Sequence, residues 1–398
     1  MSPTRADRLN LVAEPLTPEG IDRFAEVAAS HVGPDKVPGL VALVARGDHV
    51  HVEALGSLTI GGPAVHRDSL FRIASTTKPI TGAATMALVD EGLLALDEPV
   101  DRLLPELADR QVLRRMDGPL DDTVPADRPI TTRDLLTFTC GFGMVMDMFM
   151  APEPWPVVAA TNELDLHTIG PPSPAGQPGP DAWIAGLGSL PLLAQPGDRW
   201  LYNTSATVLG VLLARAAGQP FADVLRTRIF EPLGMVDTAF YAPDPARLAT
   251  AYASSPDGLK VWDAPDGQWA SPPALGDGGA GLVSTVDDLL AFARMFMRGG
   301  DPVLTADAVR QMTTDQLTDE QKERDGTGFL DGRSWAFCQS VILDGPYAGA
   351  FGWDGGLGTS WLVDQARDLV VIVLTQRLFD NAAAPQVHQD LQAAALAM

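Results

Sequence analysis

The chain is organised around the stretch Leu70-Phe-Arg-Ile-Ala-Ser75-Thr-Thr-Lys78-Pro-Ile-Thr-Gly-Ala-Ala84. Ser75 stands three residues before Lys78 at the start of a helical pattern, and residues at i and i+3 share one helix face. The two side chains are therefore expected to point into the same pocket. A serine hydroxyl becomes a good nucleophile when a base takes its proton. A lysine can act as that base if burial lowers its pKa, whereas an arginine cannot.

Lysine is rare in this chain, which makes the spacing more informative. Of the 28 lysines and arginines only four are lysines, at positions 36, 78, 260 and 322, and Ser75 is the only serine with a lysine three residues on. Taken alone, the pair also fits a plainer arrangement, in which Ser75 caps a helix and Lys78 is a solvated residue of its first turn. The choice between the two depends on other stretches of the chain.

Composition indicates a globular protein with an acidic surface. The 398 residues are 46% hydrophobic and only 20% charged, which suits a large core and two closely packed subdomains. The net charge of −23 disfavours nucleic acid and anionic membranes as partners, because both require basic patches. No nucleic-acid or membrane partner is therefore expected, and the sequence leaves the oligomeric state open.

Other sequence signals indicate a cytoplasmic protein with no metal and no cofactor. Residues 1–10 hold no apolar h-region, so no secretory signal is expected, and no run approaches the ~18 apolar residues of a membrane span. Cys140 and Cys338 lie far apart and are expected to be buried thiols. The sequence contains no HExxH motif, Rossmann glycine loop or P-loop.

Periodicity predicts one antiparallel sheet built from both ends of the chain. A helix over residues 17–32 precedes a β-hairpin, 41–45 and 50–55, and late strands are predicted over 335–343, 347–353, 359–363 and 369–375. Helices are predicted between them over 75–91, 130–141, 204–217, 220–230 and 285–298, and a last helix over 382–398. This order indicates an α+β fold in which a mainly helical subdomain is inserted into a sheet-containing one.

Residues 144–196 are the least regular part of the sequence. They contain four methionines at alternate positions from Met144 to Met150, two tryptophans and the Pro/Gly-rich run 170–180. A long irregular segment in a compact domain is usually functional or mobile, and methionines suit an adaptable apolar binding wall. The segment is predicted to act as a lid over a site, although a cover over ordinary core explains the same composition.

Two further stretches make the serine–lysine pair more credible. Tyr202, in Pro196-Gly-Asp-Arg-Trp-Leu-Tyr-Asn-Thr-Ser-Ala-Thr-Val-Leu-Gly210, precedes a helix, and a phenol beside an ammonium can ionise near neutral pH and act as a base. In Ala350-Phe-Gly-Trp-Asp-Gly-Gly-Leu-Gly-Thr-Ser-Trp361, four glycines leave N–H groups that a ligand can approach and that could bind an oxyanion. A core tyrosine and a β-turn are the plainer alternatives.

Together the three stretches resemble those of the serine β-lactamase-like superfamily. It includes class C β-lactamases, DD-peptidases, D-aminopeptidases and family VIII carboxylesterases. The resemblance covers roughly residues 40–375, keeps the motifs in family order, and extends to the surrounding stretches 130–143, 231–235 and 278–289. It implies a β-lactamase/penicillin-binding-protein-like fold: an antiparallel sheet flanked by helices, with residues 1–75 and 270–398 forming an α/β subdomain and residues 76–269 a mainly helical subdomain that includes the lid-like segment 144–196.

The resemblance also implies roles for individual residues. Ser75 would be the acylated nucleophile, Lys78 would polarise it, and Tyr202 would share the lysine's proton, act as the base in acylation and protonate the leaving group. The N–H groups of Ser75 and Gly356 would form the oxyanion hole. Trp353-Asp354-Gly355 falls where the family's third motif, Lys-Thr-Gly or His-Thr-Gly, binds substrate.

The third motif is where the sequence departs from the family pattern. Trp353 and Asp354 replace the lysine that would meet the carboxylate of a penicillin or a stem peptide, and an aromatic ring beside a carboxylate does not favour an anionic substrate. The Tyr-x-Asn pattern also reads Tyr202-Asn203-Thr204 here. Family VIII esterases show a similar tryptophan–glycine–glycine stretch, so the closest resemblance is to them.

The predicted function is therefore that of a serine carboxylesterase that acts on small or medium acyl esters. Three alternatives stay open: amide hydrolysis as a β-lactamase, DD-peptidase or D-aminopeptidase, acyl transfer to an alcohol or amine, and a non-catalytic binding protein with the same fold. A Ser-His-Asp hydrolase is disfavoured because no Gly-x-Ser-x-Gly elbow occurs.

Overall fold

The structure is a computed structural model that describes residues 15–398. The interpretation of residues 1–10 as lacking a secretory signal lies outside the described residues. In the described part of the chain no single helix is long and apolar enough to cross a membrane. Two consecutive helical segments, Thr204–Ala217 and Phe221–Leu233, have the necessary length and composition only when taken together, and they are bent by 81°.

The strands lie mostly near the two ends of the described chain. They are β1 (Gly39–Arg46), β2 (His49–Gly56), β3 (Phe71–Arg72), β4 (Gln111–Leu113), β5 (Thr123–Pro125), β6 (Ala251–Ser255), β7 (Gly258–Asp263), β8 (Val283–Ser284), β9 (Arg333–Trp335), β10 (Ser340–Ile342), β11 (Phe351–Gly355), β12 (Thr359–Asp364) and β13 (Leu369–Thr375).

Most of the helices lie in the middle of the chain, and one further helix lies near each end of the described residues. They are α1 (Pro18–Ser30), α2 (Thr77–Asp90), α3 (Thr132–Leu136), α4 (Asp147–Met150), α5 (Pro156–Glu163), α6 (Pro180–Ser189), α7 (Thr204–Ala217), α8 (Phe221–Leu225), α9 (Glu231–Leu233), α10 (Val286–Met297), α11 (Ala306–Met312), α12 (Asp319–Glu323) and α13 (Gln386–Leu396). A π-helical turn, Arg226–Phe230, joins α8 to α9.

Seven strands form one antiparallel sheet in the order β2-β1-β13-β12-β11-β10-β9. The predicted sheet from both chain ends is therefore confirmed, with β1 from the early segment paired to β13 from the late one. The register places Leu43 opposite Ile372 and Val44 opposite Val371. All seven residues of β13 are buried, which explains why its sequence is a continuous apolar run rather than an alternating one.

The sheet separates two layers of helix. Because side chains alternate along a strand, Leu40, Ala42 and Val44 of β1 pack with α1 and α13, in a core that includes Phe24 and Leu391. The intervening residues Val41, Leu43 and Ala45 face the larger core on the other side of the sheet. The predicted α+β class, a sheet flanked by helices with a helical region in between, is confirmed, whereas the subdomain boundaries at residues 75/76 and 269/270 stay predictions.

Two predicted elements differ from the structure. Residues 144–196 contain three helices, α4 to α6, instead of an irregular loop, because Pro156 and Pro180 each occupy the first position of a helix, where a proline costs no hydrogen bond. The predicted strand over 335–343 is a hairpin, β9 and β10. The chain reverses where Cys338 takes a φ of +60° and Ala336 N–H donates to Gln339 O at 2.8 Å.

Candidate active site

Ser75 lies in a 3₁₀ turn, Ala74–Thr76, that leads directly into α2. Ala74 has a φ of +44°, a left-handed conformation that a residue with a Cβ adopts at a cost of about 1 kcal/mol. The turn is held from the sheet side, where Thr359 Oγ1 of β12 donates to Ile73 O at 2.9 Å and lies 3.3 Å from Thr76 Oγ1. The strained turn presents the partly buried Ser75 side chain to a cavity.

Lys78 is the most deeply buried charged side chain of the site, with no exposed surface. Its Nζ donates to Ser75 Oγ at 2.9 Å and to the carbonyl oxygen of Gly279 at 2.7 Å. Burial lowers the pKa of Lys78 to about 7, and this effect outweighs the raising influence of the Asp277 carboxylate. The alternative of a helix cap with a solvated lysine is therefore ruled out for this pair.

Tyr202 approaches the same point from the segment that precedes α7. Lys78 Nζ lies 4.6 Å from the centroid of its ring. Burial raises the pKa of Tyr202, while the Ser75 hydroxyl and the Trp353 indole oppose the rise less strongly. The resting form is therefore a neutral phenol and not the phenolate expected beside an ammonium, because desolvation dominates.

The glycine-rich stretch lies against the Ser75 turn. A Cβ on Gly355 would come within 2.3 Å of Ile73 O and 2.2 Å of Thr359 Oγ1, so only glycine lets β11 approach so closely. Gly356, the next residue, lines the cavity that Ser75 enters, and a Cβ there would meet open space. The two residues predicted for the oxyanion hole are thus brought to one cavity.

Trp353 and Asp354, which were predicted to contact the substrate, both line the cavity, and the contact itself stays a prediction. Trp353 lines the cavity but is only 7% exposed, and its indole N–H donates to Tyr202 OH at 2.7 Å. Because the phenol oxygen accepts from the indole, the phenol proton is free to point elsewhere, toward Ser75. Asp354 is loosely paired, with carboxylate oxygens 3.9 Å from Arg333 Nη1 and from His388 Nδ1.

The cavity has a volume of about 390 Å³ and a mainly apolar wall. The segment 144–196 supplies part of this wall, and its action as a lid stays a prediction. The apolar residues that line the cavity include Met144, Phe149, Pro171, Pro172, Phe329, Leu357, Leu378 and Phe379. Among residues 15–398, no group of three or more His, Cys, Asp or Glu is placed to hold a metal ion.

Sequence reasoning missed the residues behind Lys78. Asp277 lines the cavity and Gly279 binds the lysine through its main chain. In the sequence, residues 278–289 served only as a part of the family resemblance. The glycine pair Gly278-Gly279 was the available signal, because adjacent glycines indicate a main chain that packs closely against another group. The aromatic rings around Tyr202 were missed too: those of Phe138, Trp200, Phe329 and Trp335 lie within 6.3 Å of it, centroid to centroid.

Comparisons with known proteins agree with this geometry. The Beta-lactamase family model matches residues 24–396. Protein Rv1367c of Mycobacterium tuberculosis is 40% identical over 336 residues, 80% of each chain. Esterase EstB of Burkholderia gladioli is 32% identical over 380 residues, 88% of each chain. The solved structure of EstCE1, a hydrolase with promiscuous acyltransferase activity, superimposes with a TM-score of 0.81 at 25% identity, covering 95% of this chain and 99% of its own. The chain therefore belongs to the Beta-lactamase family.

Proposed function

We propose that this protein is a serine hydrolase of the family VIII carboxylesterase type, which forms an acyl-enzyme on Ser75 and hydrolyses esters with small or medium acyl groups. The observation that carries the proposal is the contact between Lys78 Nζ and Ser75 Oγ at 2.9 Å, in a buried site where the pKa of Lys78 falls to about 7. Such an amine is poised to take a proton at neutral pH. EstB, a relative of this protein, is named an esterase, which supports the same reaction class.

The geometry suits the following sequence of proton movements. The neutral Lys78 amine accepts the Ser75 hydroxyl proton as the Oγ attacks the ester carbonyl, and the developing oxyanion is bound by the N–H groups of Ser75 and Gly356. Tyr202 then gives its phenol proton to the departing alkoxide and regains one from the Lys78 ammonium. In deacylation, water takes the place of the alcohol and the protons move in the opposite direction. Tyr202 passes a proton to Lys78 and takes one from the attacking water, and Lys78 returns a proton to Ser75 Oγ as the acid is released.

The charges around the cavity favour esters over penicillin-like substrates. Arg333 lies in the cavity wall, but Asp331 and Asp354 line the same cavity, and Asp354 is loosely paired with this arginine. Asp277 lines the cavity too, so a substrate carboxylate would meet three acidic side chains and an arginine that is already partly neutralised. The apolar part of the wall suits an uncharged acyl chain instead.

Detection of the acyl-enzyme by intact mass tests this proposal. We expect the purified protein, mixed with p-nitrophenyl acetate or butyrate and quenched with acid, to gain the mass of the acyl group on the peptide that contains Ser75. Nitrocefin and a D-amino-acid p-nitroanilide serve as comparison substrates and are expected to be turned over at least ~100-fold more slowly in kcat/KM. Equal or faster turnover of either amide would contradict the proposal of an esterase.

The pH dependence of kcat/KM tests the role of Lys78. Its pKa is lowered to about 7, so the amine that must accept the Ser75 proton is neutral above that pH and protonated below it. Activity is therefore expected to fall with decreasing pH through an apparent pKa of about 7, roughly tenfold per pH unit below it. Initial rates with p-nitrophenyl butyrate between about pH 5 and 9, corrected for spontaneous hydrolysis, give the profile. A rate that stays constant down to about pH 5.5 would contradict the role of this amine.

Acyl transfer is a second candidate function. Residues 144–196 contribute apolar side chains such as Met144, Phe149 and Pro171 to the cavity that Ser75 lines, and EstCE1 is a hydrolase with promiscuous acyltransferase activity. A shielded acyl-enzyme can react with an alcohol in preference to water. Added methanol or benzyl alcohol should then appear in ester products, which chromatography separates from the acid.

A further inference from the structure

Asp277 is a buried acid directly behind the serine–lysine pair. Only 7% of the residue is exposed, and its Oδ1 accepts hydrogen bonds from Thr207 Oγ1 at 2.7 Å and from Gly279 N–H at 2.8 Å. The carbonyl oxygen of the same Gly279 accepts from Lys78 Nζ at 2.7 Å. One glycine therefore joins the carboxylate to the lysine, with its N–H bonded to Asp277 and its carbonyl bonded to Lys78.

The glycine turn has little freedom to take another position. A Cβ on Gly278 would lie 2.4 Å from Ala206 O of α7, so this residue packs its main chain directly on the helix. Thr81 Oγ1 of α2 donates to Gly278 O at 2.8 Å, which holds the turn from the other side. The turn is thus fixed by α2, by α7 and by the Asp277 side chain together.

Among the groups that face Lys78, Asp277 is the one that carries a negative charge. The phenol of Tyr202 and the thiol of Cys338 lie close to the lysine, but burial raises the pKa of both, so both are neutral at pH 7. Ser75 and Gly279 contribute neutral oxygens. Asp277 supplies the carboxylate, and its charge raises the pKa of the buried amine against the effect of desolvation. A buried ammonium with no such partner would be unstable, and its amine would be a weaker base.

We propose that Asp277 is a positioning residue for the reaction on Ser75: it orients the Gly279 carbonyl toward Lys78 and provides the negative charge that sustains the basicity of this amine. The inference rests on the function proposed above. It concerns a residue outside the three motifs that carry the family resemblance.

Asp277→Asn tests this role, because it removes the charge and retains one accepting oxygen. Without the charge the pKa of Lys78 should fall, so the acidic limb of the kcat/KM profile is expected to move down by about one pH unit, with a plateau about tenfold lower because the base is weaker. Asp277→Ser replaces the carboxylate by a smaller, uncharged side chain and is expected to shift the acidic limb in the same direction. It takes the place of the asparagine variant if that variant does not fold.

Asp288 provides a matched control. It is also a buried acid, and its carboxylate accepts from Thr238 Oγ1 at 2.7 Å and from Asp237 N–H at 2.8 Å, as Asp277 does from Thr207 and Gly279. Asp288→Asn is expected to alter stability and leave the acidic limb in place. The inference is overturned if folded Asp277 variants keep the wild-type limb, or if Asp288→Asn shifts it equally. Labelling of Ser75 by a fluorophosphonate in the Asp277 variants shows, separately, whether the proposed function itself holds.

Discussion

Ser75→Ala is expected to reduce p-nitrophenyl ester turnover by about 10³-fold or more and to abolish the acyl adduct. The physical reason is that the oxyanion donors and the cavity remain while the atom that forms the covalent intermediate is lost, so only binding and electrostatic stabilisation contribute to the residual rate. The adduct is measured by intact mass after acid quench, and turnover by initial rates at about pH 8, above the expected pKa of Lys78.

Ser69 offers a matched control for this substitution. It is a buried serine in the same approach to the site, 2% exposed, and its Oγ accepts from His66 N–H at 2.9 Å. Ser69→Ala removes the same hydroxyl group and is expected to keep ester turnover within about threefold of wild type, at a cost of about 1 kcal/mol in stability. If Ser75→Ala retains the activity of Ser69→Ala, Ser75 is not the nucleophile.

Lys78→Arg is expected to be as damaging as the loss of the serine, again about 10³-fold or more in kcat/KM, although arginine is also a basic residue. A guanidinium keeps all its protons at neutral pH, so it has no free nitrogen lone pair to take the proton on Ser75 Oγ. It is also larger than the space between Ser75 Oγ and Gly279 O, which Lys78 Nζ fills at 2.9 and 2.7 Å. Steady-state rates and the burst of p-nitrophenol measure acylation directly.

Two companion variants separate basicity from charge and size. Lys78→Met keeps an unbranched side chain of similar volume in a site with no exposed surface, so it is expected to fold and to be as inactive as the arginine variant. Lys260→Arg makes the same lysine-to-arginine change on a side chain that is 65% exposed and should leave activity unchanged. Activity of Lys78→Arg within tenfold of wild type would show that this amine is not the base.

Much of the fold follows from short-range patterns in the sequence. Thr17 and Thr285 accept from the N–H groups of Gly20 and Asp288, as capping residues do, so the starts of α1 and α10 were predictable. The apolar run 369–375 is a central, fully buried strand, as its composition indicated. The irregular appearance of residues 144–196 was misleading, because prolines that begin short helices resemble prolines that break them.

By itself the sequence determined that a serine, a lysine and a tyrosine stand in family order, and that Ser75 and Lys78 share a helix start, because helical spacing is a local property. Only the tertiary structure decided what those groups are able to do. Complete burial lowers the pKa of Lys78 and raises that of Tyr202, Trp353 donates to the phenol from a strand 151 residues away, and Asp277 reaches the lysine through Gly279. Protonation states depend on desolvation and on charges that are distant in the chain, so no local pattern in the sequence specifies them.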